Sequence, residues 1–310
     1  MSAPIDRLPS ALPGDPFHPG ERALQAHAGV RQRMAEVGAR VIRGHMPEQH
    51  RAFFAELPFV LIGSVDGAGQ PWATLLSGPP GFIRSPEPTR LRIEGLPAGG
   101  QPLAAHVAPG APLGLLGIQP HTRRRNRANG RVSGVDAAGF DIAIEQSFGN
   151  CPKYIRPREA RFAPGPHSPP AVQALSGLDD AARRLIARAD TFFIASAAYG
   201  GVDVSHRGGE PGFVHIDGDV LTVPDYAGNL FFNTLGNLLV EPRAGLLFID
   251  FARGDMLQLS VRAEVIDDAA ERARLPGAQR VLSLSLLAAQ RVRPAPGLSW
   301  SAQAVPAPRS

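Results

Sequence analysis

An acid, a hydroxyl and a guanidinium alternate along Asp203-Val204-Ser205-His206-Arg207, and Gly208 and Gly209 follow. In an extended strand, side chains two apart share a face. Asp203, Ser205 and Arg207 therefore project together, with Val202, Val204 and His206 on the other side. A charged and hydroxylated face does not build a core. The Arg207 guanidinium offers a two-pronged fork to an anion, Ser205 adds a donor, and the glycines let backbone come close. This is the chemistry of a phosphate site. Its bland counterpart is a solvated strand face with a surface ion pair.

A second polar pattern lies at Asn229, Asn233 and Asn237, spaced i, i+4, i+8. On one helix they form a single stripe, and asparagine inside a helix asks for partners. Asn229 also suits a helix N-cap. Upstream, His121-Thr122-Arg123-Arg124-Arg125-Asn126-Arg127 is densely basic. Arg123 and Arg124 read as a solvated edge. Arg125 and Arg127 alternate on one face and are the better candidates for an anion. Cys151, the only cysteine, is more simply a packing residue than a nucleophile, while Lys153 and Tyr154 beside it are candidates to line a pocket. The nine histidines are scattered and form no metal-ligand spacing.

The elements that position these residues come in two copies. Pro80-Gly81-Phe82 recurs as Pro211-Gly212-Phe213, and Gly114-Leu115-Leu116 as Gly245-Leu246-Leu247. Gly130-Arg131-Val132 is echoed by Val261-Arg262-Ala263. All three blocks share an offset of 131 residues. A period this long means two successive domains of one fold, each with its own core. At the same offset Asp203, Ser205 and Arg207 fall on Trp72, Thr74 and Leu76, so the charged face belongs to the second copy alone. A ligand explains such asymmetry better than a demand of the fold. Arg125 and Arg127 fall on Met256 and Gln258.

Around these blocks, short apolar runs such as Phe59–Ile62 and Phe192–Ser196 read as strands, and Gly100–His106 and Leu230–Val240 as short helices. The expected organisation is an N-terminal arm with helices over 1–57, with residues 1–20 as arm or loop. A first copy over 58–155 and a proline-rich linker over 156–178 follow. A second copy spans 179–292, and 293–310 is a loose tail.

Composition excludes several function classes. The chain of 310 residues is 44% apolar, with a formal net charge of only +4. Nearly all its positive charge is arginine, Lys153 being the sole lysine, and no basic stripe interleaved with aromatics marks a nucleic-acid face. A single cysteine forbids an intrachain disulfide and fits a reducing compartment. No signal-peptide pattern and no apolar run of transmembrane length occurs, so a cytoplasmic protein without a membrane partner is expected.

Residues Gly228–Val265, with a short helix and two strands, resemble pyridoxamine 5′-phosphate oxidase-like FMN-binding split barrels. Asp203–Phe213 is similar to the Asp-x-Ser-x-Arg-Gly-Gly-x-Pro-Gly-Phe element of an FMN-dependent branch of that family. Ser147–Ile155 is typical of relatives with this extended architecture. The resemblance implies a mainly β protein with short helices, two tandem FMN-binding split β-barrels imitating a homodimer. It implies FMN at their junction, with Ser205, Arg207 and Gly208 on its phosphate and ribityl chain and Asp203, Asn233 and Asn237 nearby. Arg125 and Arg127 would meet the ring edge or an anionic substrate from the other barrel. The implied activity is electron or hydride transfer to a small molecule, supplied by an external electron donor, in a pseudo-dimeric monomer or a homodimer. The Arg/Lys-rich segment that pyridoxamine-phosphate oxidases carry after the corresponding strand is missing, which argues against vitamin B6 oxidation. Flavin storage, or a haem or deazaflavin ligand in the same barrel, are the alternatives, since fold alone does not set function.

Overall fold

The computed structural model describes residues 12, 14–163, 171–293 and 297–302. Three helices come first: α1 (Pro19–His27), α2 (Arg31–Val41) and α3 (Glu48–Ala55). The stretch expected as an irregular arm thus ends inside a helix. His18 caps α1, and Pro19 takes its first position, where the missing N–H costs nothing.

The first half continues with β1 (Phe59–Val65), β2 (Pro71–Ser77), β3 (Ile83–Glu87), β4 (Arg90–Glu94), α4 (Pro102–His106), β5 (Pro112–Gln119), β6 (Arg124–Asp136) and β7 (Gly139–Gly149). Between the halves lie β8 (Arg158–Phe162), β9 (Ala171–Leu175) and α5 (Asp180–Arg188). The second half holds β10 (Thr191–Ala198), β11 (Gly201–Gly208), β12 (His215–Asp217), β13 (Val220–Tyr226), α6 (Asn233–Val240), β14 (Arg243–Ile249), β15 (Met256–Ile266), α7 (Ala269–Ala273), β16 (Ala278–Arg293) and β17 (Leu298–Ala302).

The first sheet runs β2-β1-β5-β6-β7-β4-β3, and the second runs β11-β10-β14-β15-β16-β13-β12. Strand for strand this is one order, and α4 and α6 occupy the same place in it. The repeated residues show why they are repeated. Gly81 and Gly212 sit at φ 94° and 90°, a region closed to most side chains, at the turn that delivers Phe82 and Phe213. Gly114 and Gly245 mark where the halves meet. A Cβ on Gly114 would lie 2.4 Å from the Val202 carbonyl oxygen, and one on Gly245 would lie 2.4 Å from that of Pro71. Each half thus presses its glycine against the other's edge strand, β11 or β2. Two separate cores fill the halves. A third, including Leu61, Leu75, Leu116, Phe193, Val204 and Leu247, is shared between them.

Two stretches expected to be irregular hold strands among their described residues. Within 156–178, β9 adds to the second sheet beside β16, and β8 pairs with β17. Four of the five prolines of that stretch fall in 164–170, outside the described residues, and leave Arg158–Phe162 and Ala171–Leu175 free to extend. The tail expected to be loose forms β17, where Trp300 packs edge-on against Phe59 and Phe251, both at 4.9 Å between ring centroids. Residues 303–310 lie outside the described residues.

Candidate functional site

A cleft of about 470 Å³ opens where the halves meet, within the range of small-molecule sites (about 300–1,000 Å³). Its walls come from β6 and the loop after β7 in the first half, from β11, β13, α6 and β16 in the second, and from the α1–α2 turn. Of the residues singled out from sequence, Arg125, Arg127, Ser205, Arg207, Gly208 and Asn233 line it, as do Cys151, Lys153 and Tyr154. Asp203 and Asn237 do not.

Asp203 instead holds the wall together from behind. Arg127 Nη1 donates to its Oδ1 at 2.7 Å, Asn129 Nδ2 to the same oxygen at 2.8 Å, and Asn237 Nδ2 to Oδ2 at 3.0 Å. Arg127 Nη2 also donates to Ser205 Oγ at 2.6 Å, and Thr234 Oγ1 donates to that oxygen at 2.9 Å. Arg127 therefore crosses from one half to the other and is buried there. At the pseudo-equivalent place Gln258 Nε2 donates to Ala73 O at 2.8 Å and Thr74 Oγ1 at 3.1 Å. The crossing is a feature of the fold; the charge on it is not.

Arg207 pairs through Nη1 with Asp225 on β13. Gly208 has a second reason to be glycine: a Cβ there would lie 2.2 Å from the Tyr154 carbonyl oxygen. His206, expected on the far face, accepts from Arg125 Nη1 at 3.1 Å, and Arg125 Nε donates to the Cys151 carbonyl at 2.7 Å. Burial and the guanidinium groups of Arg125, Arg207 and Arg158 push the His206 pKa well below the usual imidazole value, so Nδ1 is free to accept. Burial, with Arg127 and Arg207 nearby, lowers Arg125 to about 10.

The asparagine stripe is shorter than expected. Asn229 precedes α6 and accepts from the Phe231 N–H at 3.2 Å, and the N-cap is Phe232, in a left-handed conformation at φ 63°. Phe232 makes no side-chain cap, so the first turn of α6, with Asn233 and Thr234 on the cleft, keeps N–H donors for a ligand. Tyr154 and Leu230, both at φ 64°, also line the cleft. Bulky residues in that conformation concentrate at functional sites.

Several participants had no sequence signal. Arg280 lines the cleft with its guanidinium 4.9 Å from the Phe232 ring centroid. Tyr226 stacks at 5.3 Å on Tyr154, which the sequence did single out, and the Tyr154 hydroxyl donates to the Ala227 carbonyl at 3.2 Å. Helix α1 packs on α6 so closely that a Cβ on Gly20 would lie 2.2 Å from the Gly236 carbonyl oxygen. His18 Nδ1 accepts from the Gly20 N–H, so its Nε2 carries the proton and donates to Asn237 Oδ1 at 2.8 Å. Asn233 donates to Glu21, whose pKa burial and the neighbouring Asp203 carboxylate raise to about 8.

The cleft wall carries five cations, Arg125, Arg127, Lys153, Arg207 and Arg280, against one carboxylate, Asp225. Buried Nε atoms of Arg127, Arg207 and Arg280 have no hydrogen-bond partner. The same is true of those of Arg22 and Arg31, which lie off the cleft. The donor set fits a ligand bearing several anionic or carbonyl oxygens. Among the described residues no helix is long and apolar enough to cross a membrane.

Residues 178–299 match the family described as Pyridoxamine 5′-phosphate oxidase. No curated protein matches the sequence. Among solved structures, HupZ from Group A Streptococcus is similar at 14% identity over 34% of this chain and 86% of that one, with a TM-score of 0.29. A provisionally named pyridoxamine 5′-phosphate oxidase from Lactobacillus delbrueckii is 17% identical over 37% of this chain and 97% of that one, with a TM-score of 0.31. A FAD-binding protein from Mesorhizobium loti is 12% identical over 40% and 99%, with a TM-score of 0.31. The part of the chain that matches this family is thus the second half, and the first half repeats its strand order.

Proposed function

We propose that the cleft binds FMN and that the chain is an FMN-dependent oxidoreductase acting on a small molecule. The observation that carries this reading is the cationic cleft between the halves, with five cations against one carboxylate on its wall. The family match over residues 178–299 takes in Ser205, Arg207, Gly208 and Asn233.

Ser205, Arg207 and the uncapped first turn of α6 would hold the phosphate. The hydroxyl and guanidinium donate to its oxygens, and the positive end of the helix dipole adds to them. Asp225 keeps Arg207 aimed along β11, and Asp203 keeps Arg127 extended across the junction. Tyr154, Tyr226 and Phe232 would supply apolar surface for a flat ring system. FMN, when bound, supplies the hydride or electron transfer; the protein supplies position and electrostatics.

The test is the absorbance spectrum of the purified protein, followed by steady-state turnover with NADH and NADPH. Flavin absorbance released as FMN on denaturation, with reduced-nucleotide oxidation, is expected. A haem spectrum, or colourless protein that refuses added FMN, overturns the reading.

A further inference from the structure

Glu21 does not line the cleft but lies behind the turn of α6 that opens on it. Helix α1 presses on α6 there: a Cβ on Gly236 would lie 2.6 Å from the Glu21 backbone nitrogen. This contact leaves Glu21 only 4% exposed. One of its carboxyl oxygens accepts from the side-chain amide of Asn233, the first residue of α6, which itself lines the cleft. The other accepts from the His18 backbone N–H at 2.9 Å.

Among the described residues no guanidinium or ammonium pairs with this carboxyl. His18 Nε2 comes within 3.5 Å of it, but burial lowers the pKa of that ring and its proton goes to Asn237. Arg22, next along α1, donates to the Phe17 carbonyl. From β11 the Asp203 carboxylate opposes ionisation of Glu21. From β6 Arg127 favours it, but Arg127 is already paired with Asp203 at 2.7 Å. Helix α6 brings Asn233, Gly236 and Asn237, none of them charged. A carboxyl buried without a counter-ion keeps its proton, and Glu21 loses it only near pH 8. Once ionised, it sets a negative charge behind the helix start that offers N–H donors to an anion, where little water screens one charge from the other.

We propose that Glu21 is a positioning residue whose proton couples anion binding at the first turn of α6 to pH: the anion binds with Glu21 neutral, and ionisation of Glu21 weakens its hold. That the anion is the FMN phosphate rests on the reading above; the coupling does not.

Calorimetric titration of FMN and of phenyl phosphate between about pH 7 and 9, into wild-type protein and Glu21→Gln, tests this. A phosphate monoester has its second pKa at about 6, so its own charge is nearly constant over that range. With Glu21 protonated in the complex and ionising near 8 without ligand, wild-type affinity should fall roughly tenfold across the range. At the midpoint, binding should take up about half a proton, read by comparing titrations in Tris and in HEPES. Glu21→Gln fixes the neutral form. It should show neither effect beyond the small loss that Arg125, with its pKa of about 10, brings to both proteins. The melting temperature of Glu21→Gln checks its fold, and the wild-type proton uptake needs no variant. FMN binding without proton uptake, or an equal decline in Glu21→Gln, overturns the proposal and leaves the cofactor reading standing. If the protein takes no FMN but binds phenyl phosphate with proton uptake that Glu21→Gln lacks, the cofactor reading falls and the coupling stands. Binding of neither ligand overturns both.

Discussion

Arg207 on β11 and Arg127 on β6 reach the cleft from opposite halves and do different work. Arg207 faces the cleft, with an unpartnered Nε and Asp225 on Nη1. Its replacement by alanine removes one charge-assisted anchor worth about 1.5–3 kcal/mol, so FMN affinity should fall roughly tenfold to a hundredfold in a fluorescence titration. Arg127 is a structural tie. In Arg127→Gln the amide can still reach Ser205, as Gln258 reaches Thr74, but Asp203 loses its counter-charge. Breaking a buried pair from one side costs about 3–5 kcal/mol, to be read by chemical denaturation. Adding Asp203→Asn should recover part of that loss, because Asn237 can still donate to the new amide oxygen and Asn129 can turn its unpartnered Oδ1 to accept from the amide N–H. The charged face on β11 was legible from the alternation of Asp203, Ser205 and Arg207. That Asp203 points to the other half was not, since its partner Arg127 is far away in sequence and spacing within a strand is silent on what packs against it.

Helix α1 and the repeated glycines set the elements around the cleft. Glu21 is buried between α1 and α6, and its pKa of about 8 in the folded state exceeds the ordinary 4.5. The folded state therefore holds a proton that the unfolded chain releases. Its stabilising effect is complete below pH 4.5, declines as pH rises, and is lost above about 8. Melting temperatures between pH 5 and 8 should fall more steeply for the wild type than for Glu21→Gln. Gly114 and Gly245 admit no Cβ without displacing the facing strand. Alanine at either should destabilise by roughly 1–3 kcal/mol, measured by urea unfolding, through the packing of the halves on each other. Most strands were legible from short apolar runs, and α4 and α6 from their breaks. The entry of α1 into the site was hidden by the prolines before it, and by Asn233 and Asn237 finding partners more than 200 residues away.

On the scale of the whole molecule, the offset of 131 residues carried the architecture, because turn glycines and close-approach glycines cannot be exchanged. The same offset shows how the two pseudo-equivalent places diverged. Where Arg125, Arg127, Ser205 and Arg207 stand at one, Met256, Gln258, Thr74 and Leu76 stand at the other. Trp72 there replaces Asp203 and bonds Asp66 at 3.0 Å. His106 replaces Asn237, and each meets a buried serine, His106 with Ser64 at 3.1 Å and Asn237 with Ser196 at 3.0 Å. The polar tie survives at both places, and the cations survive at one. A chain built this way should bind one FMN, where a symmetric pair of barrels would bind two. Titrating FMN into protein of known concentration, followed by quenching of flavin fluorescence, counts the sites directly. Saturation at one FMN per chain is the predicted result; saturation at two, or no saturable quenching, would contradict it.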